Sequence, residues 1–252
     1  MIKIENLSKH FGRLIAVDNL SLEIPPGEIF GFLGPNGAGK TTTVKIISGI
    51  LHPTSGTVSV AGFNVVTQSL DAKKAMALVP DEPFVYPKLT GIEFLQFLGD
   101  LYSVPSSVQE KKIPELLEMF ELSRWRGELV ETYSHGMRQK LVIAGVLLRE
   151  PKAVLLDEPM VGLDPKSARK VKELFFKLAA DGASIFMCTH ILDIAEKLCH
   201  RIGIMSEGRL IALGTMARLR ELSGTSATKA GEKSLEEIFL SLTAAGEFAD
   251  IL

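Results

Sequence analysis

Residues 34–41 read "GPNGAGKT", and their reading decides the fold. The stretch fits the pattern Gly-x-x-x-x-Gly-Lys-Thr. An apolar run, "EIFGFLG" at 28–34, leads into it, and a helical pattern, "KTTTVKIISGI" at 40–50, leads out. A buried strand, a glycine turn and a helix N-terminus together make a phosphate cradle. Gly37 and Gly39 let the backbone turn tightly and approach an anion with no Cβ in the way. Lys40 reaches the β- and γ-phosphates as a compact charge, and Thr41 offers its hydroxyl to Mg²⁺. Asn36, Gly37, Ala38, Gly39, Lys40, Thr41 and Thr42 are therefore the candidate nucleotide contacts.

Around that loop the chain alternates. "IKIENL" (2–7), "LSLEI" (20–24) and "TVSVAG" (57–62) read as strands among polar turns, and "AMALVP" (75–80) as a short buried strand. From Glu82 to Glu150 the β-type runs stop. "TGIEFLQFLGDLY" (90–102), "SSVQEKKIPELLEMFEL" (106–122) and "GMRQKLVIAGVLL" (136–148) space their apolar residues as helices do, with Leu116, Leu117 and Phe120 on one face. This is an inserted helical lobe. Strands return at "AVLLDEP" (153–159), "SIFMCTH" (184–190) and 201–214, with helices over 164–182 and 191–200 between them. Strands alternating with helices imply a parallel, doubly wound sheet. Residues 223–234 read as a polar loop, and "SLEEIFLSLT" (234–243) as a closing amphipathic helix with Leu235, Ile238, Phe239 and Leu242 on one face. There is no internal repeat, so one nucleotide domain per chain is expected.

Composition agrees. Hydrophobic residues make up 46% of the 252, as a parallel sheet buried on both faces requires. The longest clean apolar run, "LVIAGVLL" at 141–148, is far shorter than the ~18 residues of a membrane span. A net charge of −2 gives no basic footprint for nucleic acid. The N-terminal residues carry no signal-peptide pattern, and the two cysteines make neither a disulfide framework nor a metal spacing. A reducing cytosol is the expected compartment.

A phosphate loop serves many chemistries, so other residues must discriminate. In "AVLLDEP", an apolar strand ending in Asp157 delivers a carboxylate to the Mg²⁺ shell. Glu158, next in line, can accept a proton from the attacking water or orient it.

In order, "GPNGAGKT", "YSHGM" (133–137), "LLDEP" (155–159), "GLDP" (162–165) and "CTH" (188–190) resemble the ATP-binding subunits of ABC transporters. The resemblance covers roughly residues 1–218, and the tail is similar to the ending of bacterial exporter ATPases. It implies a RecA-like P-loop NTPase core, an N-terminal antiparallel β-subdomain and an inserted α-helical subdomain. The matching ranges are 1–83 and 151–218 for the core, 84–150 for the helical subdomain and 219–252 for a C-terminal extension. It also implies ATP and Mg²⁺ as cofactors.

The resemblance gives further residues their roles. Phe11 sits where an aromatic ring stacks on adenine. Asp164 sits in the loop that crosses a dimer interface, and is also placed to cap the helix after it. His190 matches the switch histidine that contacts the γ-phosphate. Ser134 and Gly136 match the signature turn, which serves the γ-phosphate held by a second subunit. His135, Tyr133 and Met137 depart from the usual Leu-Ser-Gly-Gly-Gln. Asp81 stands where a glutamine is usual and keeps an oxygen for the metal. Phe84, Tyr86 and Pro87 lie in the stretch that faces the membrane subunit. The expected partners are a second copy of the chain and an integral membrane permease, with no nucleic acid. The expected place is the cytoplasmic face of the cell membrane. A soluble ABC ATPase with a non-transport role is the alternative. Such relatives carry two nucleotide domains or a long coiled-coil insertion between the P-loop and the signature, and neither is found here. A guanine-reading Asn-Lys-x-Asp, which a GTPase needs, is absent too.

Overall fold

The computed structural model describes residues 1–223 and 234–248. The polar loop expected over 223–234 falls almost wholly outside them.

The chain opens with a hairpin, β1 (Ile2–Phe11) and β2 (Leu14–Ile24). The two-residue turn between them is Gly12-Arg13, and Gly12 has φ +59°. The strand expected only over 20–24 thus begins at Leu14. Its first half pairs with β1 through His10–Ile15 and Phe11–Leu14. That half reads "LIAV" at 14–17, a short apolar run of which only Val17 is buried, so its strand state is set by pairing rather than by burial. Next come β3 (Ile29–Leu33), α1 (Lys40–Ile47), β4 (Ser55–Val60), β5 (Phe63–Asn64), α2 (Ser69–Ala75) and β6 (Met76–Val79). No apolar period announced the short α2. The helical stretch holds α3 (Gly91–Leu101), α4 (Ser106–Met119) and α5 (His135–Arg149). It begins sharply because Thr90 and Glu93 cap α3 reciprocally. The rest is β7 (Ala153–Asp157), α6 (Pro165–Ala180), β8 (Ser184–Cys188), α7 (Leu192–Leu198), β9 (Arg201–Ser206), β10 (Arg209–Gly214), α8 (Met216–Leu222) and α9 (Leu235–Phe248).

Two sheets form. The first, ordered β2-β1-β4-β5, is antiparallel throughout. The second runs β10-β9-β3-β8-β7-β6 and is parallel except for β10, which turns back antiparallel on β9. In it Phe32 pairs with Cys188, and Cys188 with Asp157. The carboxyl ends of β3, β8 and β7 therefore emerge side by side, where open α/β sheets bind ligands.

The strands of this second sheet feed cores on both faces. On one face Phe30, Phe32 and Phe186 cluster, with Phe32 and Phe186 centroids 5.1 Å apart, and meet the antiparallel sheet and α1. On the other, Val154, Leu156, Ile185 and Met187 meet α6 and the helical stretch, including Leu116, Leu117 and Phe120. A third core joins Leu33 and β9 to α7, α8 and α9 through Leu219, Leu235 and Ile238.

Candidate nucleotide-binding site

The loop after β3 has no room for a side chain at Gly34 or Gly39. A Cβ on Gly34 would fall 2.3 Å from the Met205 carbonyl oxygen. One on Gly39, at φ +105°, would fall 2.2 Å from the Ala16 oxygen. Gly37, at φ +84°, has nothing within 4 Å of that position. Gly34 and Gly39 let the loop pack on the sheets, and Gly37 keeps its open side bare. That is a cradle an anion can enter. Lys40 curls over it, its Nζ donating to the carbonyls of Gly34 at 2.6 Å and Pro35 at 2.9 Å. Asn36 and Thr41 are exposed, Thr42 is half-buried and Ala38 is buried. Thr43, not singled out in the sequence, is buried and ties α1 to the loop by donating from Oγ1 to the Gly39 carbonyl at 3.0 Å.

Beside the cradle stand three carboxylates. Burial pushes the Asp157 carboxyl up to about 6, and the Asp81 and Glu158 carboxylates push it the same way, while Lys40 opposes them. Among the described residues no three His, Cys, Asp or Glu side chains gather into a metal-binding group. The hydroxyl of Thr41 and the carboxylate of Asp157, with Asp81 close by, are hard oxygen donors. They suit Mg²⁺ shared with phosphates rather than caged by protein.

Glu158 is held from several directions. Its backbone is left-handed, φ +49°, and its N–H donates to the Cys188 carbonyl at 3.0 Å. Its Oε2 accepts from Thr189 Oγ1 at 3.0 Å, and its Oε1 accepts from the His190 N–H at 2.8 Å. Its side chain is 15% exposed, against 66% for His190. Thr189 is the residue that sequence reasoning missed. Its position before the histidine in "CTH" was the available signal.

The turn at 133–137 is built differently. Ser134 caps α5, its Oγ accepting from the Met137 N–H at 3.3 Å. Tyr133 is buried and donates from its hydroxyl to the Trp125 carbonyl at 2.7 Å. A Cβ on Gly136 would fall 2.6 Å from the Gly162 oxygen, and one on Gly162 would touch the His135 ring at 3.4 Å. Asp164 caps α6, accepting from the Ser167 N–H at 2.9 Å and hydroxyl at 2.6 Å. It also pairs with Lys140 of α5 at 3.0 Å. The N-terminus of α5 and the 162–164 turn thus form one tied unit. Ser134 and His135 stand exposed on it.

A cavity of about 230 Å³ lies on the phosphate loop. Its walls are Gly34, Pro35, Asn36, Thr189, His190, Leu192 and Phe239, with nothing from the Ser134 turn. Phe11 stands exposed at the hairpin tip, with Lys9 Nζ 5.0 Å from its ring centroid. Phe84 is 81% exposed and Pro87 is exposed as well, whereas Tyr86 sets its ring edge-on to Phe97 at 5.2 Å. Phe84 lines a groove of about 310 Å³ with Phe94, Leu98, Tyr102, Lys73 and Arg149.

A family model described as ABC transporter matches residues 17–161. The chain belongs to the ABC transporter family. It has that family's ATP-binding domain, with the P-loop NTPase core, the β-subdomain and the helical subdomain. It is 35% identical over 241 residues to the linearmycin resistance ATP-binding protein LnrL of Bacillus subtilis, covering 95% of this chain and 78% of that one. It is 35% identical to the Nod factor export ATP-binding protein I of Cupriavidus metallidurans, covering 85% and 71%. A solved ATP-binding subunit of an ABC transporter superposes with a TM-score of 0.90 at 31% identity, covering 96% of this chain and 99% of that one. An ATP-binding cassette solved as a dimer in a post-hydrolysis state with ADP and Pi superposes with a TM-score of 0.77 at 28% identity, covering 85% and 98%. Among the described residues no helix is long and apolar enough to cross a membrane.

Proposed function

We propose that this ATP-binding domain hydrolyses ATP with Mg²⁺ to power a membrane exporter, and that two copies close head to tail around two nucleotides. The clamp on Glu158 carries the hydrolytic reading. A carboxylate with both oxygens hydrogen-bonded, next to a phosphate cradle, is placed to take the proton of an attacking water. Lys40 and the loop N–H groups bind the β- and γ-phosphates, and His190 holds the γ-phosphate side. Phe11 stacks on the base. Mg²⁺, held by Thr41, Asp157 and Asp81 with the phosphates, would neutralise charge on their oxygens.

The dimer reading rests on the exposed N-terminus of α5. Ser134 is exposed, neither it nor Gly136 lines the cavity on their own P-loop, and a hydroxyl and N–H groups at a helix N-terminus suit the γ-phosphate of a second copy. Asp164 then lies at the shared interface. The dimeric cassette among the similar structures supports this arrangement. We assign 1–83 and 151–218 to the catalytic core, 84–150 to the signature lobe and 219–252 to a C-terminal extension. A permease would seat on the groove beside Phe84, with the domain on the cytoplasmic face of the cell membrane. Export is supported by the relative named for Nod factor export.

Light scattering on the Glu158→Gln protein tests this. ATP with Mg²⁺ should convert monomer to dimer, and Ser134→Arg in the same protein should prevent it. A Glu158→Gln protein that binds ATP and stays monomeric would remove the head-to-tail reading.

A further inference from the structure

The tail helix α9 reaches the cavity on the phosphate loop as well as the third core. Its Leu235 and Ile238 are fully buried against Leu33, the last residue of β3 before the phosphate loop, and against Ala195 of α7. Its N-terminus is fastened three ways. Ser234 and Glu237 cap it reciprocally, with Ser234 N–H to Glu237 Oε2 at 2.9 Å and Glu237 N–H to Ser234 Oγ at 3.3 Å. The Leu235 N–H donates to Glu196 Oε2 on α7 at 3.1 Å. Glu196 in turn pairs with Arg220 of α8. One residue beyond Ile238, Phe239 reaches the cavity that Gly34, Pro35, Asn36, Thr189 and His190 also line. Leu192, which packs in the same core as Phe239, begins the helix that follows the histidine.

We propose that Phe239 is a positioning residue of the nucleotide site, the apolar wall that holds His190 on the γ-phosphate side of the P-loop. The inference rests on the reading of His190 as the residue at the γ-phosphate. His190 needs such a wall because its ring is the exposed member of its pair with Glu158. Glu158 Oε1 anchors that ring at Nδ1 alone. A ring that tilts about this one contact would spend less time in the productive geometry, and small misplacements are costly in rate. The aromatic face also keeps water from one side of the cavity. Docking of the C-terminal extension thereby reads directly on turnover.

The test compares Phe239→Ala, Phe239→Leu and, as a control on the exposed side of α9, Leu240→Ala. In the nucleotide-free protein, Phe239→Ala should shift the ring resonances of His190, assigned through His190→Ala, while Leu240→Ala leaves them in place. Phe239→Ala should lower kcat about ten-fold with ADP affinity within about two-fold, since ADP lacks the γ-phosphate. In the Glu158→Gln protein the same change should weaken ATP but not ADP by calorimetry. Phe239→Leu should restore most of the turnover. Unmoved His190 resonances, or equal losses for ATP and ADP, would overturn the proposal. Its failure is separable from failure of the hydrolytic reading, because the resonance test needs no turnover, whereas the turnover of Glu158→Gln with Phe239 intact tests the hydrolytic reading.

Discussion

Glu158 Oε1 lies 2.7 Å from Nδ1 of His190, and the same oxygen accepts the His190 backbone N–H. The two residues are 32 positions apart in the chain. They meet because β7 and β8 are neighbours in register, and because Glu158 turns into left-handed backbone as β7 ends. Such backbone in a non-glycine residue is sparsely populated and clusters at functional sites.

If Glu158 takes the proton of the attacking water, Glu158→Gln keeps its shape and loses its basicity. Turnover should fall by about 100-fold or more, the span of general-base catalysis, with ATP affinity retained. Phosphate release and calorimetry on the same preparation check both halves. Wild-type turnover would remove Glu158 from the base's role.

Thr189 holds the second oxygen of that carboxylate and also accepts the Ile191 N–H. Thr189→Val deletes the hydroxyl at nearly constant volume. Bonds to charged groups contribute about 1.5–3 kcal/mol, so kcat should fall roughly ten-fold or more. KM should stay near its starting value, and Thr189→Ser should recover most of the rate. A change in KM alone would place Thr189 in binding rather than in holding Glu158.

Tyr133 and Gly91 are matched in shape. A Cβ on Gly91 would fall 2.2 Å from the Tyr133 hydroxyl oxygen. Gly91→Ala should therefore cost about 1–3 kcal/mol by overpacking. Combined with Tyr133→Leu, which vacates that space, it should cost much less than the two changes added. Chemical denaturation of the four proteins measures the coupling. Additive losses would show that the helix N-terminus at Gly91 does not yield to this contact.

Asp164 supplies a pH signature. Its carboxyl is held well below the usual carboxylate range by the Ser167 hydroxyl, then by the Ser167 N–H and Lys140. A lowered folded-state value means the stabilisation is full above the unfolded value of about 4 and is lost as pH falls below it. Asp164→Ala should cost about 1 kcal/mol at neutral pH, the usual worth of a helix cap. The gap in unfolding midpoint between mutant and wild type should narrow on acidification below pH ~4. A gap that is constant with pH would mean the side chain stabilises by packing rather than by charge.

By itself the sequence determined the parts whose chemistry is local. The phosphate loop is legible because a strand, a glycine turn and a helix N-terminus are all written within residues 28–50. The place of Asp157 and Glu158 at the end of a buried strand is legible because a short apolar run precedes the two acids. The helical stretch is legible because Leu116, Leu117 and Phe120 repeat with the period of a helix, and all three are buried. Tertiary structure alone decided what depends on partners distant along the chain. The first half of β2 is fixed as a strand by its pairing with β1, since of its short apolar run at 14–17 only Val17 is buried. Gly39 proved to be a packing glycine because the Ala16 carbonyl crosses it. His135, which replaces a glycine of the signature, is accommodated because Gly162 leaves its ring room. Thr189 found Glu158, and Phe239 found the phosphate loop, because the sheet and its third core brought them there. Periodicity and motif spacing report on a residue's own neighbourhood. These approaches bridge from 23 positions, for Ala16 and Gly39, to about 200, for Phe239 and the loop, and only the folded chain closes such distances.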